Sequence, residues 1–232
     1  MLSPQAVVFD MDGTLVDTER VSQASWRRAA ADMGIVLPDS MLNDFVGCSI
    51  PNARTMVIEL VGDVQLVDRL FSHQAELFLA MRDEDLEMRS GAFEAVRALH
   101  DAGLPVALAT STEREHAMPL MERFGLAQFF STTVCGDEIG RSKPEPDIYL
   151  EAARRLGMRP EACAAVEDSV NGVRAALAAG MMTFMVPEWA EPTPGVRSAC
   201  AGILQSLHEL PALLIGQPRS GHEPRGVAAR KG

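Results

Sequence analysis

The sequence predicts an α/β fold in which a Rossmann-like parallel sheet forms the core and a helical cap domain is inserted after the first strand. Short apolar runs alternate with helical patterns from residue 89 onward, which is typical of parallel sheets with right-handed crossovers. Another apolar run, 7–9, lies near the N-terminus, and the residues 16–88 that follow show helical periodicity alone. We therefore expect a core made of 1–15 and 89–215. The segment 216–232 is rich in Gly, Pro and Arg and is expected to be a disordered tail.

The first strand is predicted from the apolar run Val7-Val8-Phe9, which is too short for a helix. Asp10 and Asp12 follow it, at the end of the strand where open α/β sheets bind their ligands. Gly13 then allows a sharp turn, because glycine lacks the Cβ that restricts other residues. A plain Asp-Gly turn without function is the alternative interpretation of this stretch.

The inserted segment is predicted to be helical throughout. Asp17 or Thr18 can cap a helix that reaches about Met33. Two further apolar stripes at helical spacing, 56–61 and 67–81, predict a shorter and a longer helix. These helices would bury their apolar stripes against one another and form the cap.

Strands and helices alternate again after Ser90. The predicted strands are 106–109, about 131–135, 162–166 and 183–186. The predicted helices are 92–101, a helix ending at Leu156, 170–179 and a last helix at 203–214. Thr112 and Glu115 have the spacing of a capping box, which predicts a helix start just after the second strand.

Composition limits the classes of function. The chain has 232 residues and a formal net charge of -11, which disfavours nucleic acid as a partner. No apolar run approaches the roughly 20 residues of a membrane span. The N-terminus shows no secretory signal pattern, so we expect a cytoplasmic protein. The four cysteines form no CxxC pair, which predicts reduced core residues rather than a zinc or redox site.

Side chains suited to catalysis are predicted to gather at one edge of the sheet. They are Asp10 and Asp12 after the first strand, Thr110 and Ser111 after the second, Lys143 after the third, and Glu167 and Asp168 after the fourth. Two carboxylates ~4 Å apart repel by about 4 kcal/mol at an effective dielectric constant of about 20, so the cluster requires a cation. Oxygen ligands favour Mg²⁺ over zinc. A hydroxyl and a lysine beside Mg²⁺ favour a phosphate group as the bound substrate.

The first two aspartates are expected to divide the work of phosphoryl transfer. Asp10 lies at the rigid strand end and is the better candidate for a nucleophile that becomes an aspartyl phosphate. Asp12 lies in the turn, where it is free to change roles. It is the candidate general acid for the leaving oxygen and general base for water.

Four motifs stand together in this chain. They are Asp10-Met11-Asp12-Gly13-Thr14, Ala109-Thr110-Ser111, Lys143-Pro144-Glu145-Pro146-Asp147 and Val166-Glu167-Asp168-Ser169-Val170-Asn171-Gly172-Val173. With them the chain, over about residues 5–190, resembles the haloacid dehalogenase-like hydrolase superfamily, in the branch with a helical cap after the first strand. The resemblance implies Asp10 as nucleophile and Asp12 as general acid and base. It also implies Mg²⁺ as the cofactor.

The resemblance further implies how the metal and the phosphoryl group are held. Mg²⁺ would be bound by Asp10, the backbone carbonyl of Asp12, and Asp168, with Glu167 nearby. The transferring phosphoryl group would be held by Thr110 and Lys143.

Within this superfamily we expect a phosphatase of small phosphomonoesters, of the sugar-phosphate or nucleotide type. A β-phosphoglucomutase-like phosphomutase is the alternative. Ser22 stands where the mutase carries a histidine and Ile50 where it carries an arginine, and both departures favour hydrolysis. A non-catalytic phosphate-binding regulatory module is a remote alternative, since such a module is expected to lose Asp10 or Asp12.

Substrate choice is expected to come from the cap. The candidate contacts to the substrate are Glu19, Gly47 and Ser49 in the cap, together with Ser111 at the sheet edge. The expected partner is a small phosphorylated metabolite, with neither nucleic acid nor membrane. The sequence leaves the oligomeric state open, and a monomer is the simplest expectation.

Overall fold

The structure is a computed structural model that describes residues 4–45, 48, 50–187, 189 and 191–216. Within the described residues, six strands form one parallel sheet in the order β3-β2-β1-β4-β5-β6. They are β1 (Ala6–Phe9), β2 (Val106–Ala109), β3 (Phe130–Val134), β4 (Cys163–Glu167), β5 (Met182–Met185) and β6 (Gly202–Ile203). The predicted α/β fold class is confirmed. The first five strands agree with their predicted bounds to within one residue at each end.

The first strand, β1, lies in the middle of the sheet, and all four of its residues are apolar and fully buried. A strand covered on both faces has no need of alternating polar residues. It pairs with β2 on one side and with β4 on the other. The residues that follow these three strands therefore lie side by side at the carboxyl edge of the sheet.

Helices cover both faces of the sheet and build the inserted segment. Those of the described residues are α1 (Thr18–Asp32), α2 (Asp39–Asp44), α3 (Ile50–Val61), α4 (Val64–Asp85), α5 (Ala92–Asp101), α6 (Arg114–Arg123), α7 (Asp147–Leu156), α8 (Val170–Ala178), α9 (Pro194–Ala199) and α10 (Leu210–Leu214). Side chains of α5, α6 and α10 pack with Val7 and Phe9 on one face, and side chains of α7 and α8 pack with Ala6 and Val8 on the other. No helix among the described residues combines the length and apolar character needed to span a bilayer.

The inserted helices, α1 to α4, pack around an apolar cluster of their own. Trp26 lies at its centre, with its ring centroid 5.1 Å from that of Phe45 and 4.7 Å from that of Phe71. The two connections to the sheet run side by side, and an antiparallel bridge pairs Val16 with Met88. This closure supports 16–88 as the limits of the cap, which we propose for the domain.

The predicted capping box at Thr112 and Glu115 is wrong. Helix α6 begins at Arg114, and Glu113, which precedes it, makes no side-chain capping bond. The Thr112 hydroxyl instead donates to Asp12 Oδ2 at 2.7 Å. The hydroxyl thus bonds to a carboxylate from a distant part of the chain and not to the start of the helix. Local spacing in the sequence does not reveal such a distant partner.

The predicted last helix at 203–214 is wrong over most of its length. Gly202–Ile203 forms β6, which pairs with β5, and α10 spans only Leu210–Leu214. Helix α9 (Pro194–Ala199) was not predicted. Elements this short do not repeat a periodic pattern, so the sequence does not reveal them. The predicted tail beyond Gly216 lies outside the described residues.

Candidate active site

Three buried carboxylates meet at the carboxyl edge of the sheet. Asp10 follows β1, Glu167 is the last residue of β4, and Asp168 comes next. One oxygen from each carboxylate lies within 4.8 Å of the other two. The three residues are only 5%, 0% and 6% exposed, respectively. Because water cannot screen charges at such depth, this cluster is strongly repulsive unless a cation shares it.

Lys143 supplies one positive charge to the cluster. Its Nζ contacts Asp10 Oδ1, donates to Glu167 Oε1 at 2.7 Å and donates to the Ala109 carbonyl at 3.3 Å. Burial by itself lowers the pKa of Lys143, but the charges of Asp10 and Glu167 more than reverse this effect and hold the pKa above its ordinary value. Lys143 therefore remains an ammonium group in this site.

Glu167 is fully engaged by hydrogen-bond donors. Its Oε1 accepts from Lys143 Nζ and from the Tyr149 hydroxyl, each at 2.7 Å. Its Oε2 accepts from the backbone N–H of Asp168 at 3.1 Å, and from the N–H and the hydroxyl of Ser169 at 3.2 and 3.1 Å. An ionised carboxylate offers about four lone-pair sites, so these donors use its whole capacity. Glu167 thus acts as a fixed anchor for Lys143 and for the start of α8.

Asp168 faces the turn that follows β1. The Thr14 hydroxyl donates to Asp168 Oδ1 at 3.2 Å. Gly13 has a φ of 77°, and a Cβ at this position would overlap the Asp168 carboxylate. Glycine is required here both for the left-handed backbone and for the close approach of the two segments.

Asp12 is held by two hydroxyl groups from the end of β2. Thr110 Oγ1 and Thr112 Oγ1 donate to its Oδ2 at 3.1 and 2.7 Å. The backbone N–H of Thr112 donates in turn to Thr110 Oγ1 at 3.0 Å. Thr110 is fully buried, so the hydroxyl that we expected to bind phosphate is directed at Asp12 in this structure.

A cleft of about 350 Å³ opens over these groups. Its lining includes Asp10, Asp12, Glu19, Ser111, Lys143 and Asp168. Gly47 and Ser49, the other two predicted contacts to the substrate, lie outside the described residues. Segments that are far apart in sequence therefore present carboxylates, an ammonium and a hydroxyl to one small space.

Burial dominates the electrostatics of the carboxylates. It raises the pKa of Asp10 to about 8, and the neighbouring Lys143 only partly opposes this effect. Burial also raises the pKa of Asp168 well above its ordinary value, with a further contribution from Glu167. Both shifts have the same physical meaning: the site holds more negative charge than its protein surroundings can stabilise.

The roles of Tyr149 and Thr112 were not predicted. Tyr149 is the only tyrosine of the chain and lies on the buried face of α7, among Ile148, Ala152 and Ala153. A phenol on an otherwise apolar face signals a buried hydrogen-bond partner, which here is Glu167. Thr112 offered no comparable signal, because its partner is set by the order of the strands.

A family model for haloacid dehalogenase-like hydrolases matches residues 4–180, which is most of the chain. Together with the sheet and the site described above, this match shows that the chain belongs to this family of hydrolases. It is therefore an enzyme, as the motifs predicted.

Among named proteins, the chain is similar to a phosphorylated carbohydrates phosphatase of Thermotoga maritima, with 32% identity over 180 residues that cover 76% of this chain and 82% of that protein. It is also similar to hexitol phosphatase B of Escherichia coli O157:H7, with 30% identity over 223 residues that cover 89% and 94%. A solved structure of a HAD family hydrolase from Deinococcus radiodurans R1, with bound phosphate and sodium, has a TM-score of 0.76 and 29% identity. The match covers 92% of this chain and 96% of that one.

Proposed function

We propose that this chain is a Mg²⁺-dependent phosphatase of small phosphomonoesters, of the sugar-phosphate or nucleotide type, that works through an aspartyl phosphate on Asp10. The observation that carries the proposal is the position of the Asp10 carboxylate, which lines the cleft beside Asp168 and against Lys143. The relatives named as phosphatases support the reaction class. The phosphate bound to the Deinococcus radiodurans hydrolase supports the same chemistry.

The carboxylates of Asp10 and Asp168, with the backbone carbonyl of Asp12, are proposed to hold Mg²⁺. The donor set consists of oxygen atoms alone, which suits a hard divalent cation. The raised pKa values of Asp10 and Asp168 support the fit, because they show an excess of negative charge. Glu167 has its lone pairs occupied, so we propose that it acts from outside the coordination sphere. When bound, the ion would neutralise the carboxylates and polarise the phosphoryl group.

In the first step an oxygen of the Asp10 carboxylate attacks phosphorus, and the bond between phosphorus and the ester oxygen breaks. Asp12, in its acid form, gives a proton to the departing oxygen. Lys143, held beside Asp10, donates hydrogen bonds to the phosphoryl oxygens. The products of this step are an aspartyl phosphate, a free alcohol and an ionised Asp12.

In the second step water attacks phosphorus, and Asp12 takes a proton from that water. The bond between phosphorus and Asp10 breaks, which releases inorganic phosphate and restores the Asp10 carboxylate. Asp12 is again an acid, ready for the next turnover. Thr110 and Thr112 hold the Asp12 carboxylate in place through both steps.

Hydrolysis is favoured over phosphomutase activity because a mutase must also hold a second phosphate group. Ser22 and Ile50 line the space next to the cleft, and neither carries a charge. Clamping a second phosphate requires a cation such as arginine, whose planar fork matches phosphate oxygens.

The test is release of phosphate from p-nitrophenyl phosphate, with Mg²⁺ and with a chelator. We expect the wild type to release phosphate in the presence of Mg²⁺ and not in the presence of the chelator. Asp10→Asn should lower kcat by on the order of a thousandfold or more, as expected for loss of a nucleophile. Its far-ultraviolet circular dichroism should match that of the wild type.

Three results would contradict the proposal. An Asp10→Asn enzyme that keeps a tenth of the wild-type rate would exclude Asp10 as the nucleophile. A wild type that releases no phosphate under either condition would favour the non-catalytic phosphate-binding module. Interconversion of hexose phosphates faster than release of phosphate would favour the mutase.

A further inference from the structure

A second cavity, of about 670 Å³, lies among the helices of the cap. Four aromatic side chains line it: Trp26, Phe45, Phe71 and Phe78. The cavity adjoins the catalytic cleft, because Asp12, Glu19 and Cys48 line both spaces. The alcohol part of a phosphate ester bound at Asp10 would therefore extend into this cavity, which we call the cap cavity.

Much of the polar capacity of the cap cavity is already used within the protein. The Ser72 hydroxyl donates to the Asp68 carbonyl at 3.0 Å, and the Gln74 amide donates to the Ser25 hydroxyl at 2.9 Å. Asp12 already accepts two hydroxyl groups. A ligand with many hydroxyl groups therefore finds few free hydrogen-bond partners on the protein in this cavity.

One polar group of the cap cavity still needs a partner. Thr18 is 5% exposed and lines the cavity, yet its hydroxyl has no hydrogen-bond partner among the described residues. Buried hydroxyls are rarely left unpaired, and this one would have to turn into the cavity before a ligand could supply its partner, because less than 1 Å² of the oxygen is exposed. The Glu19 carboxyl lies on the next residue and lines the same space.

The cap cavity also lacks positive charge. Among the described residues that line it, none is a lysine, arginine or histidine, whereas Asp12 and Glu19 are acidic. A second phosphate group placed here would meet carboxylates without a counter-ion. The cavity therefore excludes bisphosphates by charge.

From these contacts we infer that the cap cavity accepts a planar aromatic ring, so that the preferred substrate is a monophosphate of the nucleotide class, with a heterocyclic ring on its sugar. This inference rests on the proposed phosphatase function. The ring packs against the aromatic walls, and its polar edge faces Glu19, which lines the same cavity. A ring-free sugar phosphate fills less of the cavity and presents no aromatic face to its walls.

The test compares kcat/KM for uridine, adenosine and flavin mononucleotides with kcat/KM for ribose 5-phosphate, all with Mg²⁺. Uridine monophosphate and ribose 5-phosphate form a matched pair, since they share the phosphorylated ribose and differ chiefly in the base. We expect at least one ring-bearing ester to exceed ribose 5-phosphate by about tenfold or more, the discrimination that an apolar pocket typically provides. Acetyl phosphate serves as a reference whose leaving group is too small to reach the cap cavity.

A matched pair of variants locates this preference. Ser22→Leu places a larger side chain in the cap cavity, and Ala31→Leu places the same side chain on an exposed part of the same helix. Ser22→Leu should lower kcat/KM for the best ring-bearing ester by about tenfold more than it lowers kcat/KM for acetyl phosphate. Ala31→Leu should leave both reactions at the wild-type level. Hydrolysis of acetyl phosphate also verifies that each variant is folded.

The outcomes separate the two proposals. Suppose that acetyl phosphate is hydrolysed and that kcat/KM for ribose 5-phosphate equals or exceeds kcat/KM for every ring-bearing ester. This result would overturn the aromatic-ring inference and leave the phosphatase proposal in place. A Ser22→Leu variant that slows acetyl phosphate as much as the ring-bearing ester would overturn it as well. If neither acetyl phosphate nor any of the phosphate esters is hydrolysed, the phosphatase proposal itself would be overturned.

Discussion

At the scale of single residues, the catalytic cleft depends on side chains whose own partners are fixed. Asp12 is the clearest case, because the general acid that we propose it to be must point at the leaving oxygen. Its Oδ2 is held by the hydroxyls of Thr110 and Thr112 at 3.1 and 2.7 Å. The shorter of the two bonds comes from Thr112, which we regard as a positioning residue.

Thr112→Val should lower kcat for phosphate release by roughly tenfold, since one of the two hydrogen bonds that hold Asp12 is lost while the shape of the side chain is kept. Steady-state kinetics in Mg²⁺ would measure the change. Thr112→Ser keeps the hydroxyl and should restore most of the rate. A serine variant as slow as the valine variant would show that the methyl group matters and the hydroxyl does not.

Glu19 gives a residue-scale prediction about pH. Burial raises the pKa of Glu19 to about 7, and Asp12 and Asp17 add to the effect. The unfolded chain has the ordinary value of 4.5, so the folded state binds this proton more tightly. Stability contributed by this group is therefore lost as the pH rises from about 4.5 to about 7, and it stays lost at higher pH.

Glu19→Gln removes the ionised form and should stabilise the fold above pH 7 by on the order of 2–3 kcal/mol, with little effect near pH 4.5. Urea unfolding in a chelator at about pH 5 and pH 8 would measure the difference. Glu59→Gln, at an exposed position, is the control and should show no such trend. The prediction would be contradicted if the difference in free energy of unfolding between Glu19→Gln and the wild type were the same at both pH values.

At the scale of elements, the long cap helix α4 is tied to the core by an arginine of α6. Arg123 Nη1 donates to the carbonyls of Asp83 and Arg82 at 2.8 and 3.3 Å, and its Nη2 donates to the Leu86 carbonyl at 3.3 Å. Arg20 donates to the Asp85 carbonyl at 2.6 Å. Two cations thus bond to several carbonyls at the end of α4, where the helix dipole is negative.

Arg123→Ala should destabilise the fold by about 1 kcal/mol, and the melting temperature should fall by about 2–4 °C. Differential scanning calorimetry would measure the shift. Hydrogen exchange should accelerate most near the end of α4, because the lost bonds lie there. The control is Arg97→Ala, which removes an exposed pair with Asp101 and should change the melting temperature little. A larger effect from Arg97→Ala than from Arg123→Ala would refute the anchoring role.

At the scale of the whole molecule, stability and catalysis make opposite demands on the sheet edge. The strand order places the carboxylates of Asp10, Glu167 and Asp168 together, and Lys143 contacts two of them and partly balances their charge. Such repulsion costs stability in the absence of a cation. We expect the fold to recover this cost when Mg²⁺ binds, since a ligand that binds only the native state stabilises it.

Saturating Mg²⁺ should raise the melting temperature of the wild type by several degrees, because binding at about 100 times Kd contributes about 2.7 kcal/mol. Asp168→Asn should melt above the wild type in a chelator and should lose the Mg²⁺-dependent rise. Asp44→Asn, which changes an exposed carboxylate of the cap, should keep the wild-type response. A wild type that melts at the same temperature with and without Mg²⁺ would argue against a metal site at this edge.

The parallel sheet and the inserted helices were predictable, because each leaves a local pattern in the sequence. The strands β1 and β2 are short apolar runs, and β1 carries no polar residue because both faces are covered. The polar residues after the strands were predictable too, since parallel strands share one carboxyl edge. If Asp10 and Asp168 lay at opposite ends of the sheet, they could not share one metal ion. A carboxylate oxygen of Asp10 lies within 4.8 Å of a carboxylate oxygen of Asp168.

The sequence by itself therefore determined the α/β class, the helical insertion and the residues that follow each strand, because periodicity and turn chemistry act between near neighbours. Only the tertiary structure decided which side chains hold those residues in place. Thr112 and Asp12 are 100 residues apart in the chain, and Tyr149 and Glu167 are 18 apart on different elements. Contacts of this kind arise from the order in which strands pair and helices pack, and no local pattern records that order.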